Sequence, residues 1–294
     1  MPPRTLSPGR RAELYVVDIR TGQSTLVITS STLLFEAPNW STDGQSLVVN
    51  GDGLLFRVPV NGGELTPVPL GDIPEINNDH VLSPDGTTVY VSADDGHLYA
   101  VSLETGTARR VSNDRGPSFH HFLHGVSPNG QMLAYIGLRE HADGSITTNV
   151  HTITVSGGED VQLTHDGFPD DGSEFSPDGA WIYFNSERGS STPGHAQLFR
   201  MAPDGSNLEQ LTSDDRVNWF PHVSPDGERV AFVSFPPGTV GHPADKDVII
   251  RLLEKDGKVR DLVRVFGGQG TINVSSWAPD SRRLAYVAYP MSAE

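Results

Sequence analysis

The chain has 294 residues, a formal net charge of −16 and no cysteine. Its 21 Lys and Arg against 37 Asp and Glu argue against nucleic acid or an anionic membrane surface as partner, since both require clustered cations. Without cysteine there is no disulfide, thiolate nucleophile or Cys-ligated metal centre.

The opening MPPRTLSPGR carries no strand pattern, so residues 1–10 are expected to be disordered or peripheral. No apolar core of signal-peptide length follows it. No stretch approaches the roughly 18 apolar residues of a membrane helix, and no membrane insertion is expected. These features predict a cytoplasmic location, or a periplasmic one if the chain is a mature form. Residues 12–28, AELYVVDIRTGQSTLVI, read as two strands and a turn with no partner strand before them.

From residue 41 one unit repeats. STDG stands at 41–44, SPDG at 83–86, SPNG at 127–130, SPDG at 176–179 and 224–227, and APDS at 278–281. The interval of 42 to 54 residues is near that of four-stranded propeller blades. After each turn comes an alternating strand: SLVVNG, TVYVSA, MLAYIG, WIYFNS, RVAFVS and RLAYVA. Five copies continue into a third strand, a Gly-bearing turn and a short fourth strand. The refrain is turn chemistry. Ser bonds the backbone, Pro presets φ, Asp suits the third position and Gly takes a positive φ. Ser281 stands where the other copies have Gly, at a conformational cost.

The last copy stops after its second strand, at 283–289. Joined to 12–28 it makes a sixth blade and removes free sheet edges. The expected fold is all-β: a single six-bladed β-propeller domain over residues 1–294, with four-stranded antiparallel blades. Its last blade is closed by N- and C-terminal strands.

The W/F/V-S-P-D-G turn, its alternating strand and the split last blade resemble TolB-type six-bladed propellers with PD40, WD40-like repeats. The resemblance covers about residues 11–290. NWFPHVSPDG at 218–227, GHP at 241–243 and FGGQGTINV at 266–274 are similar to stand-alone TolB-like proteins. TolB itself carries a further N-terminal α/β domain used in the periplasmic Tol–Pal system, for which this chain has no room. The resemblance therefore implies the propeller rather than a Tol–Pal role.

Blade topology sorts the chemistry. The one–two and three–four turns share one face of the disc, and the two–three loops and blade linkers share the other. None of the 11 histidines lies in an SPDG turn. His80, His120, His121, His124, His165 and His222 fall in linkers. His97, His141, His195 and His242 fall in two–three loops, and His151 opens a third strand. Linkers lead into strand one, which lines the central channel, so polar groups from all blades converge on a funnel mouth. The expected ligand-binding residues are Asn78, His80, His124, Asp171, Glu174, Asn218, His222 and Asn273. Neighbours on an extended chain point to opposite sides. At most one of His120 and His121, and one of Asp170 and Asp171, can therefore face the axis. Trp40 and Trp277 read as packing between blades, and Trp219 as packing or a stacking surface.

Three readings of the mouth stay open. His80, His124, Glu174 and His222 could hold a divalent metal. The same groups could hold an organic ligand, a carbohydrate among them, or simply line a hydrated polar channel. A protein partner across the disc is the non-catalytic class. HVLSP at 80–84 and PHVSP at 221–225 resemble oligogalacturonate-lyase propellers. That resemblance implies an alternative, a metal-dependent lyase of uronate oligosaccharides in which the metal acidifies a proton that histidine removes. No residue is assigned a catalytic role, and no cofactor other than that divalent metal is implied.

Overall fold

Strand one of each repeat takes the innermost place, and in Val217–Val223 it is buried at every position. The structure, a computed structural model, describes residues 4–292. Blade one is Glu36–Trp40, Ser46–Gly51, Leu54–Pro59 and Thr66–Pro67, ordered from the axis outward. The blades starting at Ile76, Phe119, Asp170 and Val217 repeat this order, each a four-stranded antiparallel sheet.

The sixth sheet closes the ring. Ala12–Asp18 pairs with Ser24–Ser30 on one side and with Arg283–Ala288 on the other. Its innermost position is held by 272–278, which is too irregular for a full strand. A bridge between Trp277 and Leu284 and a 2.8 Å bond from the Ala285 amide to the Ser276 carbonyl attach it.

Alternation gives every blade two apolar faces, and a hydrophobic layer fills each of the six gaps between blades. Trp277 packs with Phe235 and Tyr286 between blades five and six, and Trp40 with Leu14 and Val287 between six and one. The tryptophans at these two positions are packing groups. Among the described residues no helix is long and apolar enough to cross a membrane.

The refrain behaves as its chemistry dictates. In blade four Ser176 Oγ donates to Asp178 Oδ1 at 2.5 Å and accepts the Trp181 amide at 3.0 Å. Gly179 sits at φ 71°. Ser281 adopts φ 57° in the Gly position, and its hydroxyl accepts the Asp226 amide of the neighbouring turn at 3.0 Å. That bond offsets part of the left-handed strain.

Residues 1–3 lie outside the described residues. Residues 4–10 pack against the ring: Leu6 lies on the core between blades six and one, and the Arg10 guanidinium lies 3.8 Å from the Phe266 ring centre.

Deleting residues 1–30 should leave Arg283–Ala288 as an open edge and cause aggregation or loss of cooperative melting. A truncated chain that stays monomeric and melts unchanged would contradict ring closure. Asp226→Ala removes the bonds from Ser224 and the Glu228 amide. It should cost about 1 kcal/mol in denaturant melts, and a neutral result would show that the turn does not depend on its Asp.

Candidate functional site

In all five four-stranded blades the innermost strand bulges midway. The irregularities fall at Glu36/Asn39, Ile76/His80, Leu123/Gly125, Asp171/Glu174 and Trp219/His222. A bulge re-aims the side chains around it. Three blades achieve it with a left-handed residue: Ala37 at φ 54°, Gly172 at 67° and Phe220 at 56°. Such a conformation costs a non-glycine residue about 1–3 kcal/mol and persists only where its surroundings enforce it. The Ala37 amide is held by the Gly270 carbonyl at 2.8 Å, and that of Phe220 by Asn185 Oδ1 at 3.0 Å.

The side chains so aimed form a polar circuit at the channel mouth. His124 Nε2, from blade three, lies 2.8 Å from Asp171 Oδ1 of blade four. Asp171 Oδ2 faces His242 Nε2, from the two–three loop of blade five, at 3.5 Å. His242 Nδ1 lies 2.5 Å from Gln269 Oε1 in the linker to blade six, and Asn273 Nδ2 donates to that same oxygen at 3.0 Å. Asp79 of blade two, steadied by Asn77 at 2.9 Å, interacts electrostatically with His124. Phe220 packs beside both imidazoles, its ring centre 5.8 Å from His124 and 5.0 Å from His242. Trp219 lies 4.6 Å from His242.

These groups push one another's protonation apart. Burial opposes charge on His124, but the carboxylates of Asp79 and Asp171 prevail and raise its pKa to about 9. Burial raises Asp79 to about 6, against the pull of His124. Burial would raise Asp171 as well, yet hydrogen bonds from His124 and His242 hold it well below the usual carboxylate range. His242 is raised, because Asp171 outweighs burial. The cluster is not sealed: the Asp171 and His242 side chains keep 21% and 31% of their surface exposed. An anion, a cation and a titratable carboxyl thus meet within reach of solvent, an arrangement suited to gripping or protonating a polar group.

Deeper in the channel Glu174 and His222 form a clasp. His222 Nδ1 lies 2.7 Å from Glu174 Oε2, and its Nε2 lies 2.6 Å from the Ile272 carbonyl of blade six. Glu174 Oε1 accepts the Val223 amide at 2.9 Å, and Trp277 Nε1 donates to the His222 carbonyl at 2.8 Å. Blades four, five and six are tied at one point.

The expected site residues therefore divide. His124 and Asp171 meet at the mouth, with Asn273 beside them and Asn78 adjacent to Glu36. Glu174 and His222 meet in the clasp. His80 is fully buried near the backbone of Val48 and Asn78, and burial drives it to about 4. Asn218 points away from the axis, bonded to Asp214 at 3.2 Å and accepting from Ser234 Oγ at 2.7 Å; its expected place at the mouth does not hold. His121 also turns away, packing tilted on Tyr135 and edge-on to Phe119 between blades two and three. Burial lowers it to about 4 and its neighbour His151 to about 3, so both pack as neutral rings. Asp170 faces Arg188 at 2.6 Å, leaving Asp171 to the mouth as strand alternation requires.

The metal set His80, His124, Glu174 and His222 does not assemble. Both nitrogens of His222 face acceptors, Glu174 is bonded through both oxygens, and His80 is enclosed elsewhere. Among the described residues no three His, Asp or Glu converge in a metal-holding arrangement. Five contributors were not singled out as site residues: Asp79, His242, Gln269, Glu36 and Arg4. Only Asp79 and His242 carried a signal, one beside His80 and one among the histidines of the two–three loops.

Comparison with known proteins places this geometry among relatives. The family model described as the TolB beta propeller domain, PD40, matches residues 126–242. An uncharacterized protein of Agrobacterium fabrum is 38% identical over 287 residues, 95% of this chain and 92% of its own. A solved structure from Agrobacterium tumefaciens, provisionally described as TolB, is 36% identical with a TM-score of 0.87, covering 96% of this chain and 99% of that one. Oligogalacturonate lyase in complex with manganese is similar at 14% identity and a TM-score of 0.58, covering 90% of this chain and 74% of the lyase. That likeness concerns the fold alone.

His222→Ala should cost about 1–3 kcal/mol by leaving the buried Glu174 without its partner; unchanged stability would remove the clasp. A raised imidazole pKa stabilises fully below the ordinary 6.5 and ceases to do so as pH rises through about 9. Stability should therefore fall between pH 6.5 and 9, and His124→Gln should flatten that slope. A slope identical in the variant would contradict the His124 assignment.

Proposed function

Because the chain belongs to the TolB-like PD40 β-propeller family, we propose that it works as a binding module whose ligand or protein partner engages the histidine-bearing mouth of the channel. The observation that carries this reading is the exposed Asp171–His242 pair backed by His124 and Asp79. It adds to a ring that is already closed by other means. Apolar layers between blades hold the ring, and the opposite face is made of turns whose polar groups bond one another. Charged groups drawn to one opening from separate blades, at the expense of desolvation, are best accounted for by a ligand that uses them.

The matching chemistry is polar and not strongly anionic, given the net charge of −16. A hydroxyl-rich small molecule or a polar loop of a protein suits it. The metal-dependent lyase reading asks for a ligand triad that the described residues do not supply, and the binding reading does not.

A thermal-shift panel of neutral sugars, uronates, amino acids and short peptides tests the proposal. A ligand of the mouth should raise the melting temperature of the wild type and lose at least about tenfold in affinity, roughly 1.4 kcal/mol, in Asp171→Asn. A ligand bound equally well by that variant, or lost only on changing the SPDG face, would put the site elsewhere.

A further inference from the structure

A buried carboxylate requires a partner, and Glu36 finds one far away in the sequence. Glu36 opens the inner strand of blade one and is 6% exposed. Arg4 Nη1 donates to Glu36 Oε2 at 2.5 Å and to the Gln269 carbonyl at 2.7 Å. The guanidinium carbon lies 5.3 Å from the ring centre of Tyr289, itself buried. Among the described residues Arg4 is the ion-pair partner recorded for Glu36.

The receptor is shaped by residues other than Arg4. Gly270, at φ 90°, sits against both Glu36 Oε2 and Tyr289 Oη, where a Cβ would collide with each. Glycine there lets the carboxylate and the phenol turn to one point. A carboxylate, a carbonyl and an aromatic face together match a planar fork of N–H donors better than a compact ammonium.

The segment that brings Arg4 is anchored at its far end, where Arg10 bridges Met291 and lies on Phe266, and through Leu6 on the core. Residues 4–9 form no strand or helix. Ser7 Oγ donates to Asp245 Oδ2 at 2.8 Å, Arg10 Nη1 to the Tyr289 carbonyl at 3.1 Å, and the Ser292 amide to the Gly9 carbonyl at 2.7 Å. Gln269, whose carbonyl receives Arg4, is the residue whose side chain holds His242. The Arg4 pocket therefore adjoins the mouth circuit.

We propose that Glu36, the Gln269 carbonyl and Tyr289 form a guanidinium-recognising subsite at the channel mouth, that Arg4 occupies it from within the chain, and that residues 4–10 are a displaceable strap. The external group the subsite takes is an arginine side chain or another guanidinium. This deepens the binding-face reading by naming the chemistry of one corner of it.

The probe is methylguanidinium with Arg4→Ala. Millimolar methylguanidinium chloride should bind that variant saturably by calorimetry and raise its melting temperature. Methylammonium should do so far less, and neither the wild type nor the double variant Arg4→Ala/Glu36→Gln should respond comparably. No saturable binding to Arg4→Ala, or equal binding to the double variant, overturns the subsite. Where Arg4→Ala fails to fold, the wild type carries the test by hydrogen exchange. The amides of Arg10 and Arg11, hydrogen-bonded to the Ser7 and Pro290 carbonyls, should exchange faster as methylguanidinium displaces Arg4, and unchanged protection overturns the strap. A panel ligand that binds the mouth and is lost in Asp171→Asn, while methylguanidinium fails, removes this subsite and leaves the binding face standing.

Discussion

Everything at the linker end of this propeller follows from convergence. Six inner strands approach one axis, and the polar residues that precede them arrive where water is restricted. A buried charge is tolerated only when paired and hydrogen-bonded; Asp170 finds Arg188 within its own blade, but the groups at the mouth do not. Partners come from the next blade: His124 with Asp171, Glu174 with His222, Asp171 with His242. The inner-strand bulges aim His124, Asp171 and Glu174 across, and His242 arrives from a two–three loop. The ring is therefore joined twice, by apolar layers between blades and by a polar circuit at the mouth.

The two faces differ in kind. On the hairpin face each Ser–Asp pair satisfies a local turn and leaves little over for other chemistry. On the linker face the groups are satisfied only jointly, so a change in one alters the protonation of several. Burial raises Asp79 toward 6 while its partner His124 moves toward 9. Pairs driven apart in this way are commonly functional.

Much of the fold was legible because it is written in local chemistry. The SPDG turn, the alternating strand behind it and the unmatched strands at 12–28 and 283–289 each dictate their own conformation. The irregular inner segment 272–278 was less so, since GGQG and SS at its approach loosen the backbone without saying how. The site was legible in outline. The face, the alternation that selects Asp171 over Asp170, and the meeting of Glu174 with His222 follow from topology. What sequence does not encode is rotation at a bulge. Asn218 turns outward to Asp214, His80 is enclosed beside Val48, and Arg4 arrives from a segment with no strand pattern at all.

The central claim is that the mouth is one coupled circuit and not a set of separate polar side chains. Proton NMR titration of the imidazole C2–H resonance of His124, assigned by comparison with His124→Gln, addresses it most directly. A midpoint near 9 is expected, moving down toward the ordinary value in Asp171→Asn. A midpoint at or below 6.5 in the wild type, or one that Asp171→Asn leaves unmoved, would contradict the circuit.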